Sequence, residues 1–212
     1  MLLIGQYDSP FVRRVAVALK TYGLAYEHAP WSTFGDADRI APYNPLRRVP
    51  TLALDDGTVL VDSPLILAAL DALVGPDAAV LARGGADGLE LLRVCGFAAG
   101  AADKGVSLLY ERVIRETAFP LWVDRCRAQV RETLTLLEAA RAQRPTPFLF
   151  DDRPSHADVI LGAMFSFLSE ALPAEFNFAA WPALGAHSEL CESLPAFREA
   201  YQPYKLVQPD PA

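Results

Sequence analysis

Three short segments in the first third of the chain put polar side chains where a strand or loop gives way to the next element. The first is Tyr7-Asp8-Ser9-Pro10-Phe11-Val12-Arg13. Ser9 followed by Pro10 is the pairing expected of an N-cap and a first helical residue, so the hydroxyl stands beside N–H groups that lack partners inside the helix. Those groups and the helix dipole favour an anion, and the hydroxyl adds a donor. The second is Asn44-Pro45-Leu46-Arg47-Arg48-Val49-Pro50-Thr51-Leu52, where Pro50 directly precedes an apolar strand. Proline cannot donate to a sheet ladder, which predicts a bend or a cis Val49–Pro50 bond. A cis bond leaves the Val49 N–H and C=O open to an extended peptide; otherwise the segment is a plain loop-to-strand junction. The third is Val61-Asp62-Ser63-Pro64, in which Ser63 and free helix N–H groups suit a carboxylate while Asp62 suits an ammonium. Capping by Ser63, with Pro64 first in the helix, explains the same residues and is compatible with that role.

The elements that must position these residues follow from periodicity. Residues 2–7 read as a strand, and 11–22 as a helix with Val12, Val15, Ala16 and Leu19 at helical spacing, stopped by Gly23. A second strand is expected at 26–29, followed by an irregular stretch carrying Pro30, Gly35, Pro42 and Pro45. Residues 51–54 and 58–61 flank Asp55-Asp56-Gly57, a strong hairpin signal, and a helix at 64–73 follows. The order β-α-β, loop, β-β-α is that of a small α/β layer. Residues 1–78 therefore form one domain, 79–87 a linker within the stretch Gly75 to Gly88 that is rich in Gly, Ala, Pro and Asp, and 88–212 an all-helical domain. Within the helical domain, helices are expected at 87–116, 120–143, after Ser155, at 181–194 and at 196–201, with an extended tail to Ala212. Ser155-His156-Ala157-Asp158 has the spacing of a capping box.

Composition excludes several classes. The 212 residues carry 19 basic and 26 acidic side chains, a formal net charge of −7, and the basic residues are scattered, which argues against nucleic-acid binding. The longest apolar stretch, residues 159–168, falls short of the roughly 20 residues of a membrane span. No basic n-region opens the chain, so a soluble, cytoplasmic protein is expected. Cys95, Cys126 and Cys191 form no CxxC or metal-ligand spacing, and His28, His156 and His187 form no pair, so neither disulfides nor a metal site is expected.

Taken together and in this order, the three segments resemble the glutathione-binding domain of the cytosolic glutathione S-transferase family. Ser9-Pro10-Phe11-Val12 is similar to its thioredoxin-fold active-site turn, Asn44 to Leu52 to its "NPxGKVPxL" segment, and Asp62-Ser63 to its acidic-Ser pair. Ser155 to Asp158, Trp181-Pro182-Ala183-Leu184 and Leu194-Pro195-Ala196-Phe197 resemble its helical domain, and the likeness is nearest to bacterial serine-type members. The resemblance implies a thioredoxin-like domain followed by an all-helical one, and a homodimer. It implies glutathione as substrate, with Ser9, or alternatively Tyr7, assisting the thiol. Phe11, Arg47, Arg48, Val49, Pro50, Asp62 and Ser63 would bind glutathione, with Val49 pairing the cysteinyl backbone. Trp31 and Ser32 are candidates for its glycine end. Ala102, Val106 and Tyr110 would meet an apolar electrophile, a reading that competes with plain helix packing. Arg13, on a helix face, is expected to be solvated.

One departure stands out: Arg47 occupies the family's glycine position, adding charge and bulk where it either gains an anion contact or obstructs the pocket. A free thiol with pKa about 8.5 is mostly protonated at neutral pH, and lowering it by about two units is worth roughly 2.7 kcal/mol. A hydroxyl and a helix N-terminus supply that order of stabilisation. The implied reaction is thiolate attack on a hydrophobic electrophile. The alternatives are a glutathione-transferase-like binding protein with little catalysis, or another glutathione-dependent reaction such as isomerisation, dehalogenation or peroxide reduction. No cysteine lies near Ser9, which disfavours exchange through a protein thiol.

Overall fold

Strands of three residues cannot hold a sheet by themselves, and in the computed structural model they are held by burial on both faces. The structure describes residues 1–205. β1 (Leu2–Ile4) pairs in parallel with β2 (Glu27–Ala29) and antiparallel with β3 (Thr51–Ala53), and β3 pairs antiparallel with β4 (Val59–Val61), giving the order β2-β1-β3-β4. Leu3 lies opposite Leu52 and Ile4 opposite Thr51, and all four are fully buried, so both faces of the central strands are covered. Ile4, Ala29 and Ile40 form one cluster, against which Leu2, Trp31 and Val49 pack.

α1 (Pro10–Thr21) packs against α3 (Ser63–Val74), and the expected hairpin joins β3 to β4. β1 is shorter than the expected 2–7 because Gly5 turns the chain at φ +129°. The stretch read as irregular contains a one-turn helix, α2 (Ala37–Ile40), too short to leave a periodic signal. α1 is also more deeply buried than its pattern predicts: every residue from Val12 to Leu19 is buried, Arg13 and Arg14 included.

The chain divides into two compact units, Met1–Ala82 with the described residues from Pro195 on, and Arg83–Leu194. The second unit is helical: α4 (Gly85–Val113), α5 (Pro120–Ala142), α6 (His156–Ala171), a 3-10 turn at Phe178–Ala180, and α7 (Pro182–Glu192). α6 is buried almost all round, with α4 and α7 against it. Its first turn is fixed by Asp158, whose carboxylate accepts from the Ser155 N–H at 2.7 Å, the Ser155 hydroxyl at 2.6 Å and the Leu149 N–H at 2.8 Å. Gly105 on α4 meets Leu168 of α6 so closely that a β-carbon would overlap the leucine methyl. α8 (Pro195–Glu199) packs on α1 and is grouped with the first compact unit. The tail expected to run extended to Ala212 lies, from residue 206 on, outside the described residues.

Candidate active site

Ser9 is the N-cap of α1. Its Oγ accepts from the Val12 N–H at 3.4 Å, its carbonyl accepts from the Arg13 N–H at 2.9 Å, and its hydroxyl hydrogen is engaged with no acceptor among the described residues. Pro10 has no N–H, and of the first-turn N–H groups that of Phe11 is left without a partner among the described residues, so an anion placed there meets one hydroxyl, one N–H and the positive end of a 12-residue helix.

Gly5 brings a second segment to this helix start. A β-carbon on Gly5 would lie 2.5 Å from Cγ2 of Val12 and 2.7 Å from Cβ of Val49, so only glycine lets the Val49 loop close against α1. The Val49–Pro50 bond is cis, the second of the two geometries that Pro50 predicts. Asn44 holds the loop from within: its buried amide donates to the Arg48 carbonyl and to Thr51 Oγ1, both at 3.0 Å, and accepts from the Leu46 N–H at 3.0 Å. With the Val49 side chain packed on the Ile4 cluster, its N–H and C=O make no hydrogen bond among the described residues. That is a free donor–acceptor pair for an extended peptide.

Arg47 has φ 52°, the left-handed region that glycine adopts without strain, so the backbone keeps a glycine conformation although the side chain has changed. The side chain is exposed and pairs with Asp38 at 3.2 Å. Arg48 is exposed and forms no ion pair among the described residues. Trp31 lies under the guanidinium of Arg39, 4.5 Å from ring centroid to Cζ. The Ser32 hydroxyl accepts from the Phe34 and Gly35 N–H groups, which ties it into its own turn.

Asp62 is the other non-glycine residue at positive φ, 70°, at the N-cap of α3. Its carboxylate does not cap the helix and makes no hydrogen bond or ion pair among the described residues, leaving it open to an ammonium. Ser63 does not sit outside the helix as a cap: it is the first residue of α3, is buried, and accepts a hydrogen bond at Oγ from Arg14 of α1.

Several expected roles change. Arg13 is 4% exposed rather than solvated; it donates to the carbonyls of Ala200 at 3.1 Å and Phe197 at 3.2 Å and lies over the rings of Phe197 and Tyr201. Tyr7 is turned toward β2, its ring stacked on His28 at 3.8 Å and its hydroxyl bonded to that of Tyr26 at 2.7 Å. Burial and the Tyr26 bond both push its pKa above the ordinary tyrosine value. Phe11 is half-buried on the first turn of α1. Ala102 is fully buried in the α4 row that also carries Ala98, Ala101 and Gly105, a packing position; Val106 is half-buried and Tyr110 exposed. Sequence reasoning missed Gly5, Arg14 and Asn44.

Among the described residues no group of three His, Cys, Asp or Glu stands together to hold a metal ion, and no helix is long and apolar enough to cross a membrane. The three cysteines lie in the second unit, away from the Ser9 turn in sequence and element.

The chain matches the glutathione S-transferase N-terminal domain over residues 3–78 and the C-terminal domain over residues 120–201. It is 29% identical to a maleylacetoacetate isomerase of Pseudomonas aeruginosa over 95% of both chains. It is 30% identical over 112 residues to the uncharacterized GST-like protein YibF of Escherichia coli, a match spanning 53% of this chain and about half, 55%, of that one. Among solved structures it is similar to a glutathione S-transferase of Methylobacterium radiotolerans in complex with glutathione sulfonate, with TM-score 0.90 and 27% identity over 100% of this chain and 98% of that one. A glutathione transferase family member of Pseudomonas fluorescens with bound glutathione gives TM-score 0.80 and 28% identity over 96% and 99%. The open Val49 peptide edge between two helix starts, and both domain matches in their proper order over most of the sequence, lead to one assignment: the chain belongs to the glutathione S-transferase family.

Proposed function

We propose that the chain binds glutathione on the first unit and stabilises its thiolate for attack on an apolar electrophile. The observation that carries this reading is the Val49 N–H and C=O pair, which makes no hydrogen bond among the described residues and is brought against the start of α1 by Gly5. The cysteinyl backbone of glutathione pairs with Val49, Pro50 fixing the strand behind it. The sulfur then lies at the start of α1, accepting from the Ser9 hydroxyl and the Phe11 N–H. The γ-glutamyl ammonium pairs with Asp62 and its carboxylate with Ser63 and the α3 N–H groups. The glycine carboxylate goes to Arg48, which has no ion-pair partner among the described residues, while Arg47 is drawn toward Asp38.

In the reaction the thiol proton passes to solvent, the sulfur lone pair forms a bond to an electrophilic carbon, and that carbon's leaving group departs with its electron pair. The electrophile is assigned to the α4 face bearing Val106 and Tyr110, with Ala102 packed beneath. The near full-length likeness to a maleylacetoacetate isomerase favours a second reading, in which the same thiolate adds reversibly to an activated alkene and leaves after bond rotation. Family membership supports a homodimer. Titration with reduced glutathione in a calorimeter tests the first step, and bound thiolate is read by its ultraviolet absorbance. Absence of heat at saturating protein overturns the proposal. Turnover of a halogenated aromatic or of a cis-configured diketo acid then separates transfer from isomerisation.

A further inference from the structure

Thr51 opens β3 between Ile4 and Val61 and is fully buried, yet its side chain is polar. A buried hydroxyl costs stability unless its hydrogen bonds are made, and those of Thr51 are. Its Oγ1 accepts from Asn44 Nδ2 at 3.0 Å and donates to the Arg48 carbonyl at 2.9 Å. The other hydrogen of the same Asn44 amide goes to the same carbonyl, at 3.0 Å. Two buried side chains thus converge on one main-chain oxygen, whose two lone pairs take both. That oxygen shares its peptide unit with the Val49 N–H. In the trans Arg48–Val49 peptide the C=O and N–H point in opposite directions. Drawing the carbonyl inward therefore turns the Val49 N–H outward, where it has no hydrogen bond among the described residues. The soft dihedrals on either side, ψ of Arg48 and φ of Val49, allow the plane to turn, and half a turn presents an acceptor where a donor had been.

We propose that Thr51 is a positioning residue for glutathione: with Asn44 it locks the Arg48–Val49 peptide so that the Val49 N–H faces the cysteinyl carbonyl of the ligand. It touches neither the ligand nor the reacting sulfur and acts through one main-chain plane. The inference rests on the glutathione reading above and adds to it a buried side chain from the strand behind the loop. Valine has the branched shape of threonine without the hydroxyl, so Thr51→Val fills the same space and leaves the carbonyl with one donor. It also leaves an Asn44 hydrogen without its acceptor, so some loss of stability accompanies it. Thr51→Ser keeps the hydroxyl and gives up a methyl group.

The test uses the full chain as wild type, Thr51→Val and Thr51→Ser, titrated with reduced glutathione while hydrogen exchange is followed at the Val49 amide. In the wild type this amide exchanges freely without ligand and is slowed about tenfold or more at saturating glutathione. Thr51→Val raises Kd about tenfold, the scale of one hydrogen bond, and reduces that protection. Thr51→Ser stays within about twofold of wild type in both measurements. A threonine with a purely structural role gives another pattern: Thr51→Val melts earlier but, while folded, binds as tightly as wild type, and that result overturns the proposal. A serine variant as weak as the valine one overturns it as well, because the methyl group and not the hydroxyl is then what matters. So does a weakened Thr51→Val in which glutathione protects the Val49 amide as fully as in wild type. Should Thr51→Val not fold, Thr51→Cys, close in size to serine but only a weak donor, takes its place in the same measurements. A wild-type chain that binds no glutathione overturns the underlying reading and this one together; a wild type that binds and protects Val49, with Thr51→Val unchanged, overturns this one alone.

Discussion

The phenols of Tyr7 and Tyr26 share a hydrogen bond of 2.7 Å, and Tyr7 lies flat on the imidazole of His28. This places the Tyr7 hydroxyl over β2, committed to a partner, while the Ser9 hydroxyl keeps its hydrogen at the start of α1. Ser9→Ala is therefore expected to raise the pKa of bound glutathione by about one to two units, the scale of one lost hydrogen bond to a charged group. Tyr7→Phe should shift it by less than about half a unit. Ultraviolet titration of the thiolate in both variants checks this, and a larger effect from Tyr7→Phe would transfer the role.

The backbone of Arg47 inverts an ordinary rule. Alanine normally stabilises a chain relative to glycine, but at φ 52° the Cβ is the source of strain. Arg47→Gly should exceed Arg47→Ala in stability by about 1 kcal/mol. Both lose the exposed pair with Asp38, so that contribution cancels. Urea unfolding of the two variants side by side measures the difference.

Two glycines with crowded surroundings should behave differently when given a methyl group. Gly5→Ala meets Val12 and Val49 in the first unit, and Gly105→Ala meets Leu168 in the second. Each is expected to cost about 1–3 kcal/mol by overpacking, with Gly5→Ala at the upper end because of its φ of +129°. Only Gly5→Ala should also weaken glutathione binding, since it displaces the Val49 edge. Denaturation and calorimetry on the same samples separate the two effects.

In the helical unit His187 is a pH-dependent element. Arg141 Nε donates to its Nδ1 at 3.0 Å, so the ring is neutral with its hydrogen on Nε2, facing Asp158 Oδ1 at 3.5 Å and Cys191 Sγ at 3.6 Å. Phe148 meets it edge-on. Burial lowers its pKa below 6.5, opposed by Asp158 and aided by Arg141. The unfolded chain therefore binds this proton more readily. The stability His187 contributes is present above pH 6.5 and is lost as pH falls toward the folded value. The stability gap between wild type and His187→Gln should thus be wider at pH 8 than at pH 5, as thermal melts across that range would record.

Much of the first unit was legible because its signals are local. Ser9-Pro10, Asp55-Asp56-Gly57 and Val49-Pro50 each constrain one turn, and each turn lies where its residues require. The capping residues Ser155 and Asp158 were legible for the same reason. What escaped notice depends on contacts distant in sequence. Arg13 looks solvated until Phe197 and Ala200 are placed over it, and Ser63 looks like a plain cap until Arg14 reaches it across two helices. Asn44 heads its motif, yet its hub role is visible only once residues 46, 48 and 51 fold back on it. α2 escaped because four residues carry no periodicity.

The placement of α8 on α1 has a consequence for biosynthesis. The first unit has the second unit inserted before α8, and Arg13 takes two of its acceptors from Phe197 and Ala200. On the ribosome the α/β layer therefore cannot finish closing as it emerges, because those two carbonyls follow more than 180 residues later. The helical insert is complete in sequence before its host is, and a chain released before Pro195 leaves the Arg13 guanidinium without these two carbonyls. Closure of the first unit around Arg13 is thereby tied to synthesis of the chain through Ala200.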